Sequence, residues 1–123
     1  MSMLNVFLVG VGGFFGAVSR FSVSQFINKK FTFKFPIATL FINLLGSFLL
    51  GLIIGVGIGG SAFLLMGAGF MGAFTTFSTF KLEGIQLHVE KRKKDFFIYN
   101  AASYAGGILL AYIGLEIGHL FLL

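Results

Sequence analysis

The chain has 123 residues, of which 57% are hydrophobic and 11% charged, against roughly a quarter charged in an ordinary soluble domain. With a mean hydropathy of +0.99, this composition excludes a water-soluble enzyme, a disordered tail and a nucleic-acid-binding module, despite a net charge of +5. The absence of cysteine removes disulfides, thiolate metal sites and thiol nucleophiles.

A bilayer-spanning helix needs about 20 apolar residues, so the length fits four spans with short loops, a single transmembrane domain over residues 1–123. The first span is expected over about residues 3–27. It lacks a charged leading region and outruns a signal-peptide core, so it reads as a retained span. Asn28, Lys29, Lys30 and Lys34 make a polar turn ending at Pro36, the sole proline. There, at the first turn of the next helix, its missing N–H costs least. The second span covers about 37–58, and Gly57, Gly59, Gly60 and Ser61 form a tight connection. The third, about 62–90, changes character at Gly67, Gly69 and Gly72, followed by Thr75, Thr76, Ser78 and Thr79. Glycine and β-branched residues weaken a helix, and hydroxyls offer the backbone other partners, which predicts a break within 72–77. Helix resumes through Phe80, with Lys81, Glu83 and His88 expected near its wet end. A charged loop from Glu90 to Asp95 precedes the fourth span, about 96–122.

Small residues recur four apart: Gly12 and Gly16 before Arg20, Ser47 before Gly51 and Gly55, and Gly114 before Gly118. This spacing puts each set on one helix face, where small residues let backbones pack closely in lipid. Four spans place the first and third loops on one side of the membrane. Lys29, Lys30, Lys34, Lys91, Arg92, Lys93 and Lys94 all fall there, with no basic residue on the other side. The positive-inside rule then puts these loops in the cytoplasm and both termini outside.

Polar groups inside a span are costly and therefore functional candidates. Arg20 is either an interfacial anchor or a fixed positive charge at the mouth of an anion path. Asn43, with Ser47 one turn on, either joins helices or lines a pore. Backbone unwound at membrane depth needs protein or a polar cavity around it, and its freed carbonyls are ligands for cations. Phe77 and Phe80 share a face beside the expected break. A phenyl ring has a negative face and a positive edge, so such a pair serves either packing or edge-on contact with an anion. Tyr99 and Ser103 lie one turn apart on the fourth span, with Gly107 and Ala111 on the same face. His88, Glu116 and His119 read as interfacial. No histidine pairs at ligand spacing and no serine has an obvious base, so metal-enzyme and hydrolase readings lack their parts.

Four features together resemble the small bacterial fluoride channels of the Fluc or CrcB family, over essentially the whole chain. They are Gly16-Ala-Val-Ser-Arg20, Asn43-Leu-Leu-Gly46 with Gly51, Gly72-Ala-Phe-Thr75-Thr-Phe77-Ser-Thr-Phe80, and Tyr99-Asn-Ala-Ala-Ser103. The third is the most specific. The resemblance implies an all-α membrane protein with a broken third helix. It also implies a dual-pore dimer of antiparallel subunits in the cell membrane, passing fluoride passively out of the cytoplasm. By the same resemblance Gly72 and Thr75 would offer backbone carbonyls to a structural sodium ion at the dimer interface. Phe77 and Phe80 would be ring-edge fluoride sites, with Asn43, Ser78, Thr79, Tyr99 and Ser103 as hydrogen-bonding groups and Arg20 near a vestibule.

Gly107 and Ala111 depart from the hydroxyl track that family members can carry. The one-sided basic loops also depart from the balance that a dual-topology homodimer requires, so a heterodimer with an oppositely biased homologue is favoured over a homodimer. The rivals are a four-span proton-coupled exporter of organic cations, which needs a membrane carboxylate at mid-depth, and a noncatalytic assembly subunit.

Overall fold

A computed structural model describes residues 2–30, 35–76 and 78–122, with the side chain of Ser78 left out. Lys34 and Phe77, both named from sequence, lie outside the described residues. The described chain is helical: α1 (Met3–Lys30), α2 (Ile37–Val56), α3 (Gly60–Phe63), a π-helical segment (Leu64–Met71), α4 (Gly72–Phe74), α5 (Ser78–Val89) and α6 (Lys93–Leu120). Four stretches are long and apolar enough to cross a membrane, the third running Gly60–Val89 across the break. The all-helical, four-span architecture with a bent third helix is therefore as expected.

Local chemistry sets the boundaries. Pro36 precedes α2, and its carbonyl accepts the Leu40 N–H at 3.2 Å. At the other end Gly57 adopts the left-handed conformation, φ 88°. Its N–H reaches Ile54 O, and the Ile58 N–H reaches Ile53 O, so the last carbonyls of α2 are satisfied in a Schellman turn. The α5–α6 turn repeats this pattern, with bonds from Lys91 to His88 and from Arg92 to Leu87. Here the left-handed position is held by Lys91, φ 60°. Arg92 pairs with Asp95 across the start of α6.

The glycine stripes are backbone contacts. A Cβ on Gly51 or Gly55 would collide with the carbonyls of Ala111 and Leu115, and one on Gly114 with that of Phe48. These residues lock α2 against α6, the most extensive helix pair described. Gly12 and Gly16 do the same for α1 against the carbonyls of Leu65 and Phe70. Gly51→Leu is expected to force α2 and α6 apart, costing about 1–3 kcal/mol or more. A lower thermal midpoint in detergent and loss of the monodisperse peak would show it.

The π-helical segment was not foreseen. Its wider coil carries Gly72 N–H back to Gly67 O, five residues earlier. Two apolar clusters flank the break. Ile42, Met71 and Phe74 lie before it, and Phe80, Leu87 and Tyr99 after it. Phe7, Phe14, Phe21, Ile108 and Leu109 are among many large apolar side chains left exposed, as a lipid-facing surface requires.

Candidate functional site: the break in the third span

The third span stops at Phe74, and Thr75 turns extended, φ −82°, ψ 161°. Side chains then take over the backbone's hydrogen bonds. The Asn43 amide on α2 accepts the Thr76 N–H through Oδ1 and donates from Nδ2 to the Thr76 carbonyl, both at 2.9 Å. Thr75 donates from Oγ1 to Met71 O at 3.0 Å, and its own N–H reaches the same carbonyl. Thr76 Oγ1 accepts the Thr79 N–H at 3.3 Å near the start of α5, a service typical of a threonine at a helix start. A Cβ on Gly46 would overlap the Thr75 methyl, so this glycine seats the extended residue against α2.

These diversions release two particular carbonyls. In an unbroken helix Gly72 O would accept from Thr76 N–H and Thr75 O from Thr79 N–H. The first donor goes to Asn43 and the second to the Thr76 hydroxyl. Gly72 is exposed, with open space where a Cβ would stand. Among the described residues no cluster of three or more His, Asp or Glu could hold a metal.

A groove of about 370 Å³ runs over the break, and Asn43, Gly72, Thr75, Phe80 and Ser103 all line it. Phe80 is 5% exposed. Tyr99 tilts against it at 5.1 Å between ring centroids, and Tyr104 meets it edge-on at 5.6 Å. Tyr99 itself is fully buried behind Phe80, outside the groove lining. Its hydroxyl and that of Ser103 are buried without a hydrogen-bond partner among the described residues. Ser78 opens α5, and Thr79, half-buried, follows it directly. Arg20 is half-buried on α1 and is not brought to the groove. At Gly107, where a hydroxyl is missing from α6, Ser47 Oγ of α2 stands opposite and donates to Asn43 O. The larger cavity, about 590 Å³, lies between α1, α2 and the π-helical segment, and its lining is wholly apolar, including Val11, Leu49, Ile53 and Phe70.

Sequence reasoning missed three participants. Thr39 donates to the Glu83 carboxylate, tying α2 to α5. The signal was present: Thr39, Asn43 and Ser47 are spaced by four on an otherwise apolar helix. Thr76 was noted only as part of a hydroxyl run, although both its backbone groups meet Asn43. Lys81, exposed one turn from the break, holds its ammonium over the rings of Phe80 and Tyr104.

Four apolar spans, one of them unwound around a polar groove, define a multi-pass membrane protein. The family described as CrcB-like protein, Camphor Resistance (CrcB), matches residues 7–115. The chain belongs to that family. It is 52% identical over 116 residues to the fluoride-specific ion channel FluC 2 of Bacillus thuringiensis subsp. konkukian, covering 94% of this chain and 98% of the relative. It is 47% identical to FluC 1 of Geobacillus kaustophilus, over 89% of this chain and 94% of the relative. It is 41% identical to FluC 1 of Listeria innocua, over 94% and 98%. The protein is thus a multi-pass protein of the bacterial cell membrane, and its relatives are named as channels.

Proposed function

We propose that this chain is a subunit of a fluoride-selective channel through which the ion leaves the cytoplasm passively. The observation that carries the reading is the groove at the break, where an aromatic rim, an amide and hydroxyls meet with no carboxylate among the lining residues. Stripping water from a small anion is costly unless donors replace it. Amides and hydroxyls can donate, and ring edges present positive charge without an ion. Phe80, with Phe77, serves as a ring-edge site. Asn43, Ser78, Thr79, Tyr99 and Ser103 supply hydrogen bonds along the path, and Arg20 is a fixed charge at a vestibule. The Ser103 hydroxyl, unpartnered among the described residues and lining the groove, supports this role.

The carbonyls of Gly72 and Thr75 fit a structural sodium ion, since unwound backbone oxygens are suited to it and their helical donors are engaged elsewhere. Two oxygens leave its shell incomplete. A second subunit offering the same pair would complete it, which favours an antiparallel dimer with two pores. The basic residues gathered in the first and third loops favour a partner of opposite bias, and relatives carry both FluC 1 and FluC 2 names.

Reconstitution in liposomes, alone and with an oppositely biased homologue, tests the function. Fluoride efflux without chloride efflux, and independent of a proton gradient, is expected. Substrate-driven proton movement would instead favour the exporter, for which Glu83, held by Thr39 within the third span, would be the carboxylate. For the dimer, single cysteines placed at the termini report cleanly because the chain has none. Labelling from the outside only is expected, and equal labelling from both sides would overturn the heterodimer.

A further inference from the structure

Lys81 is an ionisable residue inside a span, and such residues call for a partner. The helix resumes at Ser78, so Lys81 lies in the first turn of α5 and about 12 Å of helix from its far end at Val89, at 1.5 Å per residue. Its ammonium does not trail toward that end. It stands 5.3 Å from the centroid of the Phe80 ring and 5.8 Å from that of Tyr104, within the range of cation–π attraction. Tyr104 in turn meets Phe80 edge-on, with planes at 82°, and both rings line the groove.

We infer that Lys81 is a further anion-recognition residue, acting through Phe80 on the ion in the groove. This rests on the fluoride-channel reading. The quadrupole of a ring couples its face to its edge. A cation on the Phe80 face draws π density toward itself and leaves the rim hydrogens more positive. An anion meeting that rim is then held by a ring already polarised in its favour, and the ammonium adds its own field without offering a direct contact that would trap the ion. The positive charge is thus coupled to a neutral surface, which suits a site the ion must also leave.

The test compares fluoride efflux from liposomes by wild type, Lys81→Met and Lys81→Arg in the conducting assembly, at about 30 mM and about 300 mM background salt, where screening lengths differ about threefold. Methionine keeps the apolar stem, and arginine keeps a cation that stacks on aromatic faces. Lys81 is exposed, so Lys81→Met is expected to lower the rate about three- to fivefold at both salt concentrations, the scale of an exposed cation–π contact. Lys81→Arg should retain half the rate or more, and the thermal midpoints of all three should agree. A Lys81→Met rate within twofold of wild type would overturn the inference. So would a loss confined to low salt, which marks a distant steering charge, or a loss that tracks a fallen thermal midpoint. A wild-type assembly that passes no fluoride would overturn the channel reading itself, and this inference with it.

Discussion

Phe80→Ile is expected to cut fluoride efflux roughly ten- to a hundredfold while the protein still assembles, because an ion stripped of water loses a contact worth about 1.5–3 kcal/mol. The choice of isoleucine matters. Phe80 is nearly buried, against Tyr99 and Tyr104, and truncation to alanine would add a cavity cost of about 3–5 kcal/mol. Isoleucine keeps most of the volume and removes the ring edge. The measurement is initial efflux by fluoride electrode, with size-exclusion and thermal-melt profiles run beside it. Unchanged efflux with an intact profile would remove Phe80 from the path and leave the aromatic cluster as packing.

The second large effect is expected at Asn43. Its amide pairs with both the N–H and the carbonyl of Thr76, so Asn43→Leu orphans two backbone groups, at about 1–3 kcal/mol each. The chain has two ways out. It can stay broken and lose stability, or the Thr76 N–H can return to Gly72 O and close the helix. Both abolish efflux, and the second also takes Gly72 O from any cation. Thermal melts in sodium and in a bulky organic cation separate them. Wild type is expected to melt higher in sodium, and Asn43→Leu to show no such difference. Asn43→Asp keeps the acceptor for Thr76 N–H but turns a donor into a charge facing the Thr76 carbonyl. It should fall between wild type and leucine in stability and match leucine in flux. A fully active Asn43→Leu would show that the clamp is dispensable.

Much of this was legible in the sequence because lipid imposes simple rules. Hydropathy and length marked the spans, Pro36 and Gly57 marked turns, and the run from Gly72 to Thr79 marked the break, since glycines and hydroxyls both undermine a helix. The role of Asn43 stayed divided between joining helices and lining a pore; its amide joins α2 to the third span at Thr76, and it borders the groove. What the sequence hid was pairing across elements. The break restarts the helix at Ser78, which brings Lys81 close to the unwound turn and Glu83 within reach of Thr39. The π-helical segment was equally hidden, since nothing in its residues distinguishes one widened coil from an ordinary glycine-rich helix. Arg20 shows a limit of spacing: its motif was recognisable, but its helix packs on the half of the third span before the break, and Arg20 does not line the groove.

The contact between α2 and α6 has a mechanical consequence. With glycines where cushions of side chain would be, each rod rests directly on the peptide ribs of the other, and those ribs interlock like gear teeth. Sliding by a fraction of a turn would drive Cα atoms into carbonyl oxygens. The pair is therefore a fixed chassis carrying Asn43 and Ser103, against which the unwound turn of the third span is set.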